Sequence, residues 1–284
     1  MVEVERVLGQ AIQQARQSAG LTQQELCHQA GMSYSTLAKI ERGAIKTPSV
    51  FTVARIASVL GTTLDELLSS VDSGLSAVAT KKKSKTGISF LYVDINGCLV
   101  HFFHSAFTRL SQETGISGDV IESTFWHFND AVCRGEISLE EFNSKLASKL
   151  NIADISWENY YMDAVEPIHE MHQLITWASQ NFKIGLLSNI MPGFIDKMIK
   201  NGLLPDIKYE AVIDSSVVGA IKPEVNIYKI AEKQAKVNPS EILFVDDSRT
   251  NLMAAENQGW RVLWFDDMSP GESVARVRSA LEVA

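Results

Sequence analysis

The sequence predicts a two-domain protein, with an all-α domain over residues 1–70 and an α/β domain over residues 88–284. Apolar residues before position 70 recur at helical spacing. After position 87, short apolar runs alternate with amphipathic segments, as in βαβ units with a mostly parallel sheet. At the boundary between the two domains, SVDSGLSAVATKKKSKTG (70–87) is small, polar and then basic, which indicates a flexible basic linker over residues 71–87.

Composition and charge narrow the class of protein. Hydrophobic residues make up 45% of the 284 positions, enough for a sizeable core, and the net charge is −8. The charge is 0 over residues 1–70, +3 over 71–87 and −11 over 88–284, which suggests separate tasks for the two domains. This balance argues against a chain that coats nucleic acid along its whole length.

Cysteine usage and hydropathy point to a reducing compartment. The three cysteines lack CxxC spacing, so neither a zinc site nor a disulfide framework is indicated. No apolar run approaches the roughly 18 residues of a membrane span. The chain begins on an amphipathic pattern rather than an apolar signal core. We therefore expect a cytoplasmic protein that does not insert into membranes.

The first domain contains two short helices around a glycine turn. In LTQQELCHQAGMSYSTLAKIERG (21–43), Thr22 has Glu25 at the capping-box position, and Ser33 is placed to cap the second helix. Gly31 permits the sharp turn between them. A helix, a glycine turn and a second helix of this size make the helix-turn-helix arrangement, in which the second helix enters the DNA major groove.

This domain resembles the Cro/C1-type (XRE) DNA-binding domains through its T-Q-x-E-L…A-G…S-x-x-x-L-x-K-I-E-R-G pattern. The resemblance implies two sets of DNA contacts. The residues facing base edges would be Tyr34, Ser35 and Lys39. The residues on backbone phosphates would be Gln23, Ser33, Arg42 and Lys46. Such domains usually bind as dimers, so we expect a homodimer on a double-stranded DNA operator. A helical interaction module that never touches DNA is the alternative, which the zero net charge favours.

The second domain places polar side chains where its predicted strands end. The predicted strands are 88–94, 183–188, 210–213, 241–246 and 261–265. The polar side chains at or after strand ends are Asp94 and Asn96 in SFLYVDINGCLV, Ser188 and Asn189 in IGLLSNI, Lys222 before a proline, and Asp246 and Asp247 in EILFVDDSRTN. In an open parallel sheet, the carboxyl ends of the strands meet at one edge, where ligands bind. Carboxylates suit a magnesium ion, and hydroxyl and ammonium groups suit phosphoryl oxygens.

These pieces, in this order, resemble the haloacid dehalogenase (HAD) superfamily. The resemblance implies an α/β Rossmann-like fold with an inserted helical cap over residues 103–165. It implies catalytic roles for Asp94, the nucleophile that would form an aspartyl-phosphate, and for Ser188 and Lys222. The Mg²⁺ ligands would be Asp94, the Asn96 backbone carbonyl, Asp246 and, as an auxiliary carboxylate, Asp247. The phosphate would be bound by Ser188, the Asn189 backbone and Lys222. Arg134 in the cap would contact a second anionic group.

Asn96 departs from the phosphatase pattern. Phosphatases of this superfamily usually have Asp there, which protonates the leaving oxygen and then activates water. An amide lacks that proton, and a positioned acid/base contributes about 10²–10⁴-fold in rate. The departure favours a DNA-binding transcription regulator whose second domain binds Mg²⁺ and a phosphorylated small metabolite, with weak or lost phosphatase activity. One alternative is an active Mg²⁺-dependent phosphatase with an accessory DNA-binding domain. Another is a second domain that serves only for dimerisation.

Overall fold

The chain forms two compact units, Met1–Thr80 and Lys81–Ala284. The structure is a computed structural model, which describes residues 4–45, 48–63, 67 and 81–283, with side chains from residue 8 onward. Within these residues, none of the helices combines the length and the apolar character that crossing a lipid bilayer requires.

The first unit is helical, as predicted. Its described helices are α1 (Val4–Ser18), α2 (Gln23–Gln29), α3 (Tyr34–Glu41) and α4 (Val50–Leu60). The predicted caps are confirmed: Thr22 and Glu25 form a reciprocal capping box, and the Ser33 side chain accepts a hydrogen bond from the Thr36 backbone. Helices α1 and α3 touch at Gly9, because a Cβ there would lie 2.4 Å from the Ile40 carbonyl oxygen.

The second unit contains a five-stranded parallel sheet, which confirms the predicted α/β fold. The strands are β1 (Phe90–Val93), β2 (Lys183–Ser188), β3 (Ala211–Asp214), β4 (Ile242–Asp246) and β5 (Arg261–Trp264), in the order β3-β2-β1-β4-β5. Successive side chains of a strand point to opposite faces. In β1, Leu91 and Val93 therefore enter one hydrophobic core, whereas Phe90 and Tyr92 enter a second core on the other face.

Four helices form the cap between β1 and β2. They are α5 (His104–Thr114), α6 (Gly118–Cys133), α7 (Leu139–Leu150) and α8 (Trp157–Ala164). Aromatic rings fill the cap interior, and the ring centroids of Phe125 and Trp157 lie 4.5 Å apart. The helices after the cap are α9 (His169–Ser179), α10 (Phe194–Lys200), α11 (Ser215–Val218), α12 (Val225–Ala235), α13 (Arg249–Glu256) and α14 (Pro270–Ala280), with a 3₁₀ turn at Pro239–Glu241.

Residues 81–87 pack on the second unit, in contrast to the predicted linker. The Lys82 amide donates to the Asn181 carbonyl at 2.7 Å, and the Lys85 amide donates to the Glu282 carbonyl at 2.7 Å. The Lys83 ammonium lies 2.9 Å from the Glu241 carboxylate. These partners are distant in the sequence, so the local polar composition does not reveal them. The rest of the predicted linker, residues 71–80, lies outside the described residues.

Candidate phosphate and metal site

Three carboxylates meet at the carboxyl edge of the sheet. Strands β1 and β4 are neighbours, and Val93 pairs with Val245, so Asp94 and Asp246 stand at the same level. Asp247 follows directly. Ligand oxygens of Asp94, Asp246 and Asp247 all lie within 4.8 Å of one another. The register of two parallel strands thus brings together the carboxylates that the sequence predicts to cluster.

Lys222 bridges two of these carboxylates. Its Nζ lies 2.9 Å from Asp94 Oδ2 and 2.7 Å from Asp246 Oδ2, and its side chain is 1% exposed. Burial lowers the pKa of Lys222, but the charges of Asp246 and Asp94 outweigh this effect and raise the pKa above its usual range. Lys222 is therefore a permanently charged ammonium at the position predicted for phosphate binding.

The remaining electrostatics suit a hard cation. Burial raises the pKa of Asp94, an effect that Lys222 opposes and Asp246 reinforces. Burial, followed by the charges of Asp94 and Asp246, raises the pKa of Asp247 to about 7. Such shifts express the cost of crowding like charges in a buried site. A divalent cation with a preference for oxygen ligands would relieve that repulsion, so the donor set fits Mg²⁺.

Gly97 lets the Asp247 carboxylate approach the loop after β1. The residue has a φ of +74°, in the region that favours glycine, and an added Cβ would lie 2.4 Å from Asp247 Oδ2. Any larger residue at position 97 would therefore displace this carboxylate from the cluster.

Ser188 presents an unsatisfied hydroxyl beside Asp94. It ends β2 and is 1% exposed. The hydroxyl is near enough to lower the pKa of Asp94, yet it makes no hydrogen bond of standard geometry within the described part of the chain. Buried hydroxyls normally have a partner. A phosphoryl oxygen would supply one, so the position of Ser188 fits the predicted phosphate contact.

The Asn189 side chain holds Lys222. Its Oδ1 accepts from the Lys222 amide at 2.7 Å, and its Nδ2 donates to the Lys222 carbonyl at 2.9 Å. Asn189 was predicted to contribute through its backbone alone. The side chain thus has a second role, in positioning the residue that carries the ammonium.

Asn96 is hydrogen bonded to the cap. Its Oδ1 accepts from the Tyr161 hydroxyl at 2.7 Å, and Tyr161 belongs to α8. The Tyr161 ring also packs on Phe194 of α10, with centroids 4.8 Å apart. Sequence reasoning missed Tyr161, because nothing in its local sequence marks a partner 65 positions away. The amide that replaces the usual acid is thus oriented by the cap.

Two further residues missed from the sequence orient Asp246. The Ser248 amide donates to Asp246 Oδ1 at 2.7 Å, and Asn251 Nδ2 donates to the two carboxylate oxygens at 3.1 and 3.2 Å. Asn251 lies in the first turn of α13. The run DDSRTN could have indicated these contacts, because the first turn of a helix that begins just after a strand lies close to the end of that strand.

A cleft of about 310 Å³ opens onto this cluster. Its walls include Asp94, Asn96 and Lys222, together with Phe102, Trp126 and Asp130 from the segment after β1. Arg134 does not line it. The Arg134 guanidinium instead pairs with Glu224 and, at 2.9 Å, with Glu136. Two carboxylates therefore engage the Arg134 guanidinium in this structure, and its contact with a second anionic group stays a prediction.

Most of the seven residues predicted to contact DNA are exposed in the first unit. Those exposed on or beside α3 are Ser33, Tyr34, Ser35, Lys39 and Arg42, whereas Leu37 and Ile40 of α3 are buried. The Gln23 side chain is half-buried and donates to Glu41 Oε2 at 2.6 Å. Lys46 lies outside the described residues. The exposed polar face of α3 is thus separate from its core-facing side.

The second unit is thus a parallel α/β domain with a carboxylate and lysine cluster at the carboxyl edge of its sheet, and a helical unit precedes it. Two family models match the chain: a helix-turn-helix family over residues 12–67, and the haloacid dehalogenase-like hydrolases over residues 91–259. The second match spans more than half of the chain. The chain therefore belongs to the haloacid dehalogenase-like hydrolase family and carries an N-terminal helix-turn-helix domain.

Solved structures share the fold of the second unit. A predicted HAD-like hydrolase from Porphyromonas gingivalis has a TM-score of 0.58 and 21% identity, covering 68% of this chain and 98% of that one. A HAD family enzyme from Bacteroides thetaiotaomicron, an aspartate-to-alanine variant in complex with magnesium and inorganic phosphate, has a TM-score of 0.54 and 22% identity, covering 63% and 94%. Among curated proteins, bifunctional epoxide hydrolase 2 of Rattus norvegicus is 41% identical over 51 residues, which are 18% of this chain and 9% of that protein.

Proposed function

We propose that the protein is a cytoplasmic, homodimeric transcription regulator that binds a double-stranded DNA operator. Its second domain binds Mg²⁺ and a small phosphorylated metabolite, and it hydrolyses that ligand slowly or not at all. The observation that carries this proposal is the assembled cluster of Asp94, Lys222 and Asp246 beside an amide, Asn96. The groups for binding are present, and the usual group for proton transfer is absent.

The chain's own residues account for binding. Asp94, Asp246, Asp247 and the Asn96 backbone carbonyl would hold Mg²⁺, which, when bound, offsets the charge of carboxylates and phosphate. The Lys222 ammonium and the unpaired Ser188 hydroxyl would bind phosphoryl oxygens. The magnesium and phosphate bound by the Bacteroides enzyme of the same fold support this assignment.

Slow turnover follows from the side chain of Asn96. The Asp94 carboxylate would attack the phosphorus atom, but Asn96 would neither protonate a leaving alkoxide nor deprotonate water. Its Oδ1 is also engaged by Tyr161. Binding without efficient hydrolysis suits a sensor, because the phosphoryl group then stays at the site rather than being released as inorganic phosphate.

The ligand side of the proposal is tested by calorimetry and kinetics. We expect Mg²⁺ and inorganic phosphate to bind the wild-type chain, and the Asn96→Asp variant to hydrolyse phosphate monoesters about 10²-fold or more faster than wild type. Asn96→Ala is the matched control, since it alters the side chain without restoring an acid. Fast wild-type turnover with no gain in Asn96→Asp would instead favour the active phosphatase with an accessory DNA-binding domain.

The DNA side is tested by mobility-shift titration on a selected operator. Lys39→Ala should weaken binding to the operator more than binding to random DNA. Arg42→Ala should weaken both about equally and reduce the salt dependence by about one phosphate contact. Unchanged affinity in both variants would contradict the operator assignment.

A further inference from the structure

The leaving group is the part of phosphoryl transfer that Asn96 leaves unassisted. When an Asp94 oxygen attacks phosphorus, the bond from phosphorus to the leaving oxygen breaks, and that oxygen takes the electron pair. The alkoxide that departs from an alkyl phosphate needs a proton, which an amide does not supply. The Tyr161 hydroxyl directs its own proton to Asn96 Oδ1. The site therefore favours donors whose leaving oxygen needs no proton.

Acyl phosphates meet this requirement. Their leaving group is a carboxylate, the conjugate base of an acid whose ordinary pKa is about 4, so it is stable as an anion at neutral pH. Oxygen departure as an anion requires no acid at position 96. An alkyl phosphate of the same size has the same phosphoryl group, but its leaving alkoxide is not stable as an anion at neutral pH.

A small cavity beside Asn96 has room for about one methyl-sized group. Its volume is about 20 Å³. It shares four lining residues with the larger cleft, namely Asn96, Phe103, Asn129 and Asn189. Its other walls are mainly apolar and include Phe125, Met191 and Phe194. One water-sized group needs roughly 10–15 Å³, so a methyl group fits this cavity and a phenyl ring does not.

Trp157 lines this cavity and carries an unpaired hydrogen-bond donor. The residue is fully buried, and its Nε1 has no hydrogen-bond partner within the described part of the chain. A buried donor left without an acceptor is unfavourable. The carbonyl oxygen of an acyl group is an acceptor of the right kind, whereas an alkyl group would leave the indole N–H unsatisfied.

We infer that the site accepts small acyl phosphates as phosphoryl donors and stops at phosphorylated Asp94. This inference rests on the proposed function, because it uses the same phosphate site. One bond forms, between an Asp94 oxygen and phosphorus, and one breaks, between phosphorus and the acyl oxygen. The electron pair leaves with the acyl carboxylate, and no proton moves.

The second half of a hydrolase cycle is blocked by the same residue. Water would have to attack phosphorus and release a proton, and Asn96 does not accept one. The phosphoryl group therefore stays on Asp94. The result is a covalent modification carried by the same chain as the helix-turn-helix domain.

Intact-mass spectrometry of the full-length protein tests this inference with a matched pair of two-carbon donors. With Mg²⁺ present, acetyl phosphate should add one phosphoryl group to most chains, and hydroxylamine should remove it, as expected for an acyl phosphate. Ethyl phosphate should add none, and Asp94→Asn should remain unmodified. Asn96→Asp should instead release inorganic phosphate from acetyl phosphate about 10²-fold or more faster than wild type.

Two further arms test the cavity. Benzoyl phosphate, whose ring exceeds the cavity, should modify the wild-type chain more slowly than acetyl phosphate. Trp157→Phe keeps an aromatic ring but removes the N–H, and it should slow modification by acetyl phosphate about tenfold, the effect of one hydrogen bond. A thermal melt establishes that this variant is folded. Equal rates for the two donors, or for wild type and a folded Trp157→Phe, would contradict the cavity assignment.

Calorimetry separates failure of this inference from failure of the proposed function. If acetyl phosphate leaves the wild type unmodified while Mg²⁺ and inorganic phosphate still bind, the acyl phosphate inference is overturned and the phosphate site stands. If neither Mg²⁺ nor inorganic phosphate binds the wild-type chain, the proposed function fails as well. Rapid hydrolysis of acetyl phosphate without accumulation of phosphorylated protein would overturn the stalled intermediate.

Discussion

A buried ion pair between α1 and α3 gives a sharp prediction for the first unit. Arg16 Nε lies 2.8 Å from Glu41 Oε1, and Arg16 Nη2 donates to Glu41 Oε2 at 3.3 Å. The two side chains are 9% and 2% exposed. Gln23 adds a third hydrogen bond to Glu41. We predict that Glu41→Leu strongly destabilises the first unit, whereas Arg16→Met together with Glu41→Leu does not.

The magnitude follows from what each change leaves behind. The hydrogen bond that Arg16 donates to Glu41 raises the pKa of Arg16 and outweighs the opposing effect of burial. Glu41→Leu therefore leaves a charged guanidinium in the core without its partner, which costs about 3–5 kcal/mol. A domain of this size is stable by about 5–15 kcal/mol in total. Replacing both residues removes the unpaired charge, so the double variant should lie near wild type or above it.

Native-state hydrogen exchange on the full-length chain provides the assay. The exchange of α1 and α3 amides gives the free energy of unfolding of the first unit, and amides of the second unit serve as the internal reference. A loss below about 1 kcal/mol in Glu41→Leu would refute the reasoning, since exposed ion pairs are worth that little. The reasoning would also be refuted if the double variant were as unstable as Glu41→Leu alone.

Two predictions concern the second unit. Gly97→Ala should displace the Asp247 carboxylate and weaken Mg²⁺ binding about 10–100-fold, as measured by calorimetry. The control is Gly115→Ala, which has a φ of +72° but open space around it and should leave Mg²⁺ binding unchanged. Equal Mg²⁺ affinity in both variants would contradict the prediction. Burial lowers the pKa of His172, although its contact with the Leu99 carbonyl opposes this effect. The unfolded state therefore binds more protons than the folded state. As a result, the free energy of unfolding should fall as the pH drops below about 6.5. Urea unfolding should show a weaker pH dependence in His172→Gln, and equal slopes would disprove this origin.

The parts of the site that lie along strands could be predicted from the sequence. Asp94, Ser188 and Asp246 follow or end apolar runs, and parallel strands necessarily bring their carboxyl ends to one edge. The bounds of all five strands lie within two residues of the prediction. Strand bounds could be predicted because buried strands and amphipathic helices have different apolar patterns, which are visible in short stretches of sequence.

Contacts between distant segments could not be predicted in the same way. Tyr161 reaches Asn96, and Glu224 neutralises Arg134, through the packing of the cap on the sheet. Neither pairing leaves a local pattern. Glu41 likewise resembles a surface residue in its helix, and only the packing of α1 on α3 buries it.

The clasp of Asn189 on Lys222 has a consequence for the energetics of ligand capture. A single amide side chain holds both the backbone N–H and the backbone carbonyl of Lys222. The ion pairs to Asp94 and Asp246 hold the ammonium itself, so an anion that bound there would not have to order a flexible lysine against its rotational entropy. In the proposed phosphate site, the desolvation of the anion would therefore limit affinity more than any ordering of Lys222.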